Sequence, residues 1–266
     1  MKLLFIGDIF GRSGRDVLKQ ELPKLIQEHD PDIIVVNGEN AAHGKGLTPD
    51  HAAEFFELGA DVVTTGNHVW DQRQIIPYLD KEPRILRPYN FPDGTPGQGM
   101  WKGRTKKGDP FTVVNLMGRL FMDDLDCPYQ AAQTILNNHH VKRDGPLFID
   151  FHAEATSEKN AMGHLVDGQA AAVIGTHTHI PTADTRILEK GTAYQTDAGM
   201  TGDYDSVIGI RKDIPVQRFM RRVPGEKPQP ATGKATLCGV LIEINPITGL
   251  AKSILRIQTG ALFNTG

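Results

Sequence analysis

The chain has 266 residues, of which 39% are hydrophobic and 23% are charged, and its formal net charge is −3. This balance is typical of a soluble globular protein and provides no overall positive field for nucleic acid. Cys127 and Cys238 are too few for a disulfide framework, which indicates a reducing compartment. We expect one domain over residues 1–266.

The amino-terminal apolar run is too short for a signal peptide, because Asp8 interrupts it. No later run approaches the roughly 18 apolar residues of a membrane span. The sequence therefore predicts a cytoplasmic protein without a membrane partner.

Three β-α units open the chain. Residues 3–6, 32–37 and 61–65 are short, mostly apolar strands of the kind that a sheet buries on both faces. The first helix contains Val17 and Ile26, with a disturbance expected near Pro23, and the second runs from Thr48-Pro49 to Gly59. Each strand ends in a glycine and then in polar side chains, which are Asp8, Glu39, Asn40, Asn67 and His68. Such residues meet at the edge of a parallel sheet where ligands bind.

The following region, residues 88–108, is predicted to be a surface loop or hairpin. Its basic cluster is interpreted as a solvated face in preference to a phosphate site, and consists of Lys102, Arg104, Lys106 and Lys107. Strands are predicted at 111–116, 146–151 and 170–174, and helices at 130–138 and 159–166. Residues 192–196, 235–244 and 251–257 are expected to form a mostly antiparallel second sheet. Residues 224–233 are expected to be irregular, as a lid or an exposed loop.

His152 follows one of the later strands, and Gly175-Thr176-His177-Thr178-His179 follows another. If the backbone stays extended, His177 and His179 point to one side with Cα atoms roughly 6–7 Å apart. That spacing suits one ligand for each of two neighbouring metal ions. The alternative is a polar strand exit that carries two solvated histidines.

The residues collected from the strand ends mix oxygen ligands with imidazoles. Such a set favours Mn²⁺, Fe or another transition ion over a thiolate-rich structural zinc site. Eight candidate groups exceed the needs of one metal.

In this order, Gly7-Asp8, Gly38-Glu39-Asn40, Gly66-Asn67-His68, His152 and Gly175–His179 resemble the motif blocks of calcineurin-like metallophosphoesterases. That superfamily usually has Asp-x-His in the first block and Asp in the second, where this chain has Phe10 and Glu39. Both departures are similar to the bacterial YmdB-type phosphodiesterase family. The resemblance implies an α/β fold, a metallophosphoesterase-like sandwich of two facing mixed sheets flanked by helices.

The same resemblance implies hydrolysis of small phosphodiesters, including 2′,3′-cyclic nucleotides, at a centre of two divalent or transition ions. Mn or Fe are favoured, with Zn or Mg as alternatives. One ion would be held by Asp8, Glu39, Asn40 and His179, and the other by Glu39, Asn67, His152 and His177. Glu39 would bridge the ions, and Asn40 would replace the ligand lost at Phe10. His68 is the expected catalytic residue, acting on the leaving oxygen.

The expected nucleophile is a hydroxide that bridges the metals. Metal binding can lower the pKa of water from about 15.7 to about 7, which favours formation of hydroxide by roughly 12 kcal/mol. A side-chain general base contributes about 10²–10⁴ in rate, or roughly 3–5 kcal/mol. The metals are therefore expected to generate the nucleophile, and His68 is not.

Two other classes of function remain open on the sequence. Gly7, Gly11 and Gly14 superficially resemble a phosphate loop, so a non-catalytic nucleotide-binding or regulatory protein is one alternative. A phosphomonoesterase or nuclease using the same site is the other. The net charge of −3 argues against long nucleic acids. Homo-oligomer formation is left open.

Overall fold

Two mixed β-sheets face each other, and helices cover the outer surface of each sheet. The computed structural model describes residues 1–222 and 225–261. The strands are β1 (Lys2–Ile6), β2 (Ile33–Asn37), β3 (Val62–Thr64), β4 (Ile85–Leu86), β5 (Met100–Arg104), β6 (Pro110–Met117), β7 (Leu147–His152), β8 (Ala172–Thr176), β9 (Arg186–Ile187), β10 (Ala193–Gln195), β11 (Gly202–Asp203), β12 (Ala235–Ile244) and β13 (Ala251–Gly260).

Seven α-helices connect these strands in the described part of the chain. They are α1 (Gly11–His29), α2 (Pro49–Glu57), α3 (Ile76–Leu79), α4 (Pro128–Asn138), α5 (Val141–Asp144), α6 (Thr156–Val166) and α7 (Asp213–Arg221), and a 3₁₀ turn covers Arg73–Ile75. α1 continues through Pro23, where a disturbance was expected. None of the helices described is both long and apolar enough to span a bilayer.

The first sheet has the strand order β11-β12-β1-β2-β3-β4. Strand β13 belongs to the same sheet and pairs with β12. Its strands β1 to β4 are parallel. The second sheet has the order β5-β6-β7-β8-β10-β9, in which β6, β7, β8 and β10 are parallel. The carboxyl ends of parallel strands meet at one edge of a sheet, which is where polar residues can converge.

Strand β1 shows why the two sheets stack. Its alternate side chains Leu3 and Phe5 pack between the sheets, and the Phe5 ring lies 5.0 Å from that of Phe148 on β7. Leu4 and Ile6 point the other way and pack against α1. Because both faces are covered, the strand is apolar over residues 3–6, as the sequence predicted.

The prediction for the last strands was wrong in one respect. Residues 192–196, 235–244 and 251–257 do contain strands, but they do not form an antiparallel second sheet. Strand β10 pairs parallel to β8, whereas β12 and β13 extend the first sheet antiparallel to β1. Residues 237–242 of β12 are buried, and pairing with β1 on one side and β13 on the other places them inside the sheet.

The region from 88 to 108 contributes β5, which forms a hairpin with β6. Its lysines pair with carboxylates, since Lys106 contacts Asp30 and Lys107 contacts Asp32. These pairs agree with a solvated face. Residues 225–233 are irregular, as expected, and Pro224 lies outside the described residues.

Replacing Phe148 by alanine should lower the free energy of unfolding by about 3–5 kcal/mol, because it opens a cavity in the layer between the sheets. Phe121→Ala is the matched control, since Phe121 is 91% exposed and Phe148 is fully buried. The control should change stability by no more than about 0.5 kcal/mol. Urea unfolding of the metal-free proteins measures both, and equal losses would contradict the stacked-sheet core.

Candidate metal centre

The predicted polar residues converge from both sheets. Asp8 follows β1, Glu39 and Asn40 follow β2, and Asn67 and His68 follow β3, all in the first sheet. The second sheet supplies His152 at the end of β7, and His177 and His179 just after β8. All eight candidate residues therefore lie along adjoining edges of the two sheets.

Glu39 lies at the centre of this cluster, and its side chain is only 1% exposed. One carboxylate oxygen, Oε1, lies 3.0 Å from His152 Nε2 and accepts a hydrogen bond of 3.2 Å from the Asn40 amide. The other oxygen accepts a 3.3 Å hydrogen bond from the backbone N–H of His68. Glu39 thus contacts both halves of the cluster, one half around His152 and the other around Asn40.

The first half surrounds His152. Its Nε2 atom lies 2.9 Å from Asn67 Oδ1 and 3.1 Å from His177 Nδ1. Ligand atoms of Glu39, His152 and His177 all lie within 4.8 Å of one another. A carboxylate, an amide oxygen and two imidazoles thus converge on a small volume, which is a donor set for a transition ion.

The second half joins Asn40 to His179. The Asn40 amide nitrogen lies 3.2 Å from His179 Nε2, and half a turn of the amide would bring its oxygen to the same place. His179 Nδ1 donates to the backbone carbonyl of Ile208 at 2.8 Å, which leaves the lone pair on Nε2 facing the cluster. Phe10 packs edge-on against this ring, with 5.3 Å between centroids.

Asp8 carries the clearest sign of a missing partner. Its Oδ2 accepts a 3.1 Å hydrogen bond from the His177 backbone N–H. Its Oδ1 is buried and has no hydrogen-bond partner among residues 1–222 and 225–261. A buried carboxylate oxygen in that state costs free energy unless a cation neutralises it, so the residues present fit a bound metal.

The backbone that carries the two loop histidines is not extended, and that expectation was wrong. His177 has φ of 96° and His179 has φ of 67°, both in the left-handed region. The turn directs the His177 ring towards His152 and the His179 ring towards Asn40. The histidines still face separate halves of the cluster, although by a different route.

The electrostatics keep three candidate ligands, Glu39, His177 and His179, in forms that bind cations. Burial and the positive charge at His152 lower the pKa of His177 to about 3, and burial lowers the pKa of His179. Burial opposes ionisation of Glu39, but the neighbouring histidines, chiefly His152, together lower the Glu39 pKa to about 2. Burial also opposes protonation of His152, but Glu39 and Asp8 raise its pKa to about 9. A metal would replace that proton.

Gly66 allows this close packing. A Cβ atom at this position would lie 2.2 Å from Glu39 Oε2 and 2.3 Å from His152 Nε2. Any other residue would displace these side chains, so the close packing requires a glycine before Asn67.

Sequence reasoning assigned no role to three residues that orient the ligands. Thr176 donates to Asp150 at 2.7 Å, so its oxygen accepts from His152 Nδ1 at 2.9 Å and leaves Nε2 facing the cluster. Glu154 lies 3.1 Å from His177 Nε2. Carboxylates and hydroxyls that bind the outer nitrogen of a ligand histidine fix its tautomer. A signal for Asp150 was available, because it lies two residues before His152 in an otherwise apolar strand.

His68 lies beside the cluster, and its side chain contacts Asp71. Its Nδ1 atom contacts Asp71 Oδ2 at 2.9 Å, and the side chain is 26% exposed. The sequence analysis also missed Asp71, which lies three residues further along the chain.

The two facing sheets and the carboxylate–imidazole cluster define a protein of the metallophosphoesterase fold. A crystal structure of a novel phosphatase from Mycoplasma pneumoniae has a TM-score of 0.91 with this chain at 32% identity, covering 98% of this chain and 93% of that one. The chain belongs to the YmdB-like protein family, which it matches over residues 4–257.

Two further relatives agree with this assignment. A Bacillus subtilis (strain 168) protein named 2′,3′-cyclic-nucleotide 2′-phosphodiesterase is 48% identical over 257 residues, which is 97% of this chain and 96% of that protein. The crystal structure of a hypothetical protein from Thermus thermophilus has a TM-score of 0.90 at 39% identity, covering 98% of this chain and 99% of that one.

In the metal-free protein, Asp8→Asn should raise the free energy of unfolding, and the gain should grow with pH. Burial raises the pKa of Asp8, so stability from its neutral form is present at low pH and lost as the pH rises through the folded-state pKa. Asparagine stays neutral and keeps an acceptor for the His177 N–H. Thermal unfolding with chelator at pH 5 and pH 8 measures the difference in stability between the variant and the wild type.

The control is Asp16→Asn, since the Asp16 side chain is 52% exposed. It should change stability little at either pH. A destabilised Asp8→Asn protein at pH 8 would show that burial of this charge has been compensated within the metal-free chain.

Proposed function

We propose that the protein is a metal-dependent phosphodiesterase that hydrolyses small phosphodiesters such as 2′,3′-cyclic nucleotides. The observation that carries the proposal is the buried Glu39 carboxylate, which contacts His152 on one side and Asn40 on the other. A carboxylate shared in this way is what a two-metal site requires. The name of the Bacillus subtilis relative supports the substrate class.

Asp8, Glu39, Asn40 and His179 would hold one ion, and Glu39, Asn67, His152 and His177 the other. Mn or Fe suits this mixture of oxygen and imidazole ligands, with Zn or Mg as alternatives. Two bound divalent ions supply a lowered water pKa and offset the negative charge of the phosphodiester.

His68 is the residue to which we assign the step at the leaving oxygen. The Asp71 carboxylate accepts from Nδ1–H at 2.9 Å, so Nε2 is the atom available to a substrate. With Nε2 protonated, His68 can donate that proton, or a hydrogen bond, to the ribose oxygen as the ester bond breaks. Asp71 orients the ring through its contact with Nδ1.

The exposure of the side chains indicates where a substrate enters. Asp8 and His152 have fully buried side chains, whereas those of His68, His177 and Glu154 are 26%, 21% and 47% exposed. These three partly exposed side chains therefore border the face from which a substrate would reach the cluster.

A phosphomonoesterase is the second candidate, because the matching structure from Mycoplasma pneumoniae is that of a phosphatase. The same ligands could serve either reaction. The two substrate classes differ in the charge of the phosphate and in the presence of a second ester group on the phosphorus atom.

His68→Ala should reduce turnover of a diester by about 10²–10⁴-fold while the metal content stays unchanged. The contact between His68 and Glu39 is made by the backbone N–H, so truncating the side chain leaves it in place. Steady-state kinetics and metal analysis of the same samples test this. Asp71→Asn, which keeps the imidazole, should lose less activity, and loss of metal from His68→Ala would refute the catalytic role.

The purified protein should hydrolyse bis-p-nitrophenyl phosphate and 2′,3′-cyclic AMP faster than p-nitrophenyl phosphate when Mn²⁺ is present. Chelation should abolish all three activities, and Mn²⁺ should restore them. Cleavage of the 2′ bond would give adenosine 3′-phosphate, which chromatography identifies. Turnover of the monoester alone would favour the phosphomonoesterase, and nucleotide binding without turnover would favour a regulatory protein.

A further inference from the structure

A buried ion pair lies directly beneath the loop that carries His177 and His179. Lys159 on α6 donates to Asp197 Oδ2 at 2.7 Å, and their side chains are 1% and 0% exposed. Neither residue belongs to the ligand cluster. Burying two charges is costly unless each has several partners, so the remaining partners of the pair show what it holds in place.

The Asp197 carboxylate binds the residue between the two histidines. Oδ2 accepts from the Thr178 backbone N–H at 3.0 Å and from the Thr178 hydroxyl at 2.7 Å, and Oδ1 accepts from the Gly199 N–H at 2.8 Å. With Lys159, the carboxylate thus has four donors. Thr178 is fixed by both its backbone and its side chain to one oxygen atom.

The backbone of residue 197 closes the same loop further along. The Thr182 N–H donates to the Asp197 carbonyl at 3.0 Å, and the Asp197 N–H donates to the Thr182 hydroxyl at 2.9 Å. The Met200 N–H donates to the His179 carbonyl at 3.1 Å. Residues 197–200 therefore act as a template, because their hydrogen bonds hold residues 178–182 in place.

The loop needs such a template because its conformation is unfavourable by itself. His177 and His179 both have left-handed backbones, which non-glycine residues adopt only when their surroundings impose them. Thr178 lies between them, and holding it in place fixes the direction of both imidazoles.

Lys159 supplies the counter-charge to the Asp197 carboxylate. Its side chain passes Gly175 at the end of β8, where a Cβ atom would lie 2.9 Å from Lys159 Cδ and 1.8 Å from the Thr196 carbonyl oxygen. The glycine that begins the histidine motif thus leaves room for the lysine stem.

We infer that Asp197 and Lys159 are positioning residues that hold Thr178 and thereby set the geometry of the two metal-binding histidines. The inference rests on the proposed function, since it assigns the loop to a metal centre. Among the described residues, the Asp197 carboxylate makes hydrogen bonds to Lys159, Thr178 and Gly199 and to no candidate ligand side chain. Its effect should therefore appear in metal affinity before it appears in chemistry.

Asp197→Asn should raise the dissociation constant for Mn²⁺ by about 10–100-fold. The turnover number should recover substantially at saturating Mn²⁺, because the ligands themselves are intact. In the metal-free protein, amide hydrogen exchange at residues 176–180 should become faster than in the wild type. Calorimetric Mn²⁺ titration, kinetics across Mn²⁺ concentrations and exchange mass spectrometry measure these effects.

Asp144→Asn is the control for the general cost of neutralising a buried carboxylate that takes part in ion pairs. The Asp144 side chain is 6% exposed, and it pairs with Lys102 at 3.1 Å and Arg143 at 2.7 Å near the end of α5. This variant should lose thermal stability without losing Mn²⁺ affinity, and exchange at residues 176–180 should not change.

Thr178→Val is the second variant, and it decides the matter if Asp197→Asn fails to fold. It removes only the hydroxyl donor and should weaken Mn²⁺ binding several-fold. Wild-type Mn²⁺ affinity and wild-type exchange in a folded Asp197→Asn or Thr178→Val protein would overturn the inference. Failure of the wild-type protein to bind Mn²⁺ would instead overturn the proposed function, and the exchange experiment would still test the template.

Discussion

The arrangement of the whole site depends on burying the Glu39 carboxylate where the two sheets adjoin. Its side chain is 1% exposed and lies 3.0 Å from the imidazole of His152, so a residue of the first sheet is held against one of the second. Gly66 has no side chain because any Cβ there would collide with this pair. His152 in turn is held by Thr176 and Asp150. Together these contacts offset the free-energy cost of burying the ionised Glu39 carboxylate.

The cluster therefore conflicts with stability in the metal-free chain. Asp8 has an oxygen without a hydrogen-bond partner among the described residues, and burial raises its pKa. His152 Nε2 lies about 3 Å from Glu39 Oε1, Asn67 Oδ1 and His177 Nδ1, so in the metal-free chain three acceptor atoms share the one proton that this nitrogen carries. Sites that are built to bind a transition ion commonly carry this kind of local strain.

Sequence reasoning reached the residues that precede or follow an obvious strand, and it missed those that act across the fold. Asp8, Glu39 and Asn67 were predictable because each follows a strand that is buried on both faces. Such strands appear in the sequence as unbroken apolar runs, and here each run is followed by a glycine. The placement of β12 and β13 was not predictable, since an antiparallel strand can join either sheet with the same alternation of side chains. The turn at His177 and the Lys159–Asp197 pair were missed for a related reason. They depend on contacts between residues that lie 19 and 38 positions apart in the sequence.

The origin of the ligands in both sheets has a mechanical consequence. A cation bound between Glu39 and His152 would brace the two halves of the sandwich against each other, since these residues belong to different sheets. Ligand-linked stabilisation grows with the free concentration of the ligand. Resistance of the chain to proteases would therefore follow the supply of the ion, and a shortage of the ion would shorten the lifetime of the protein.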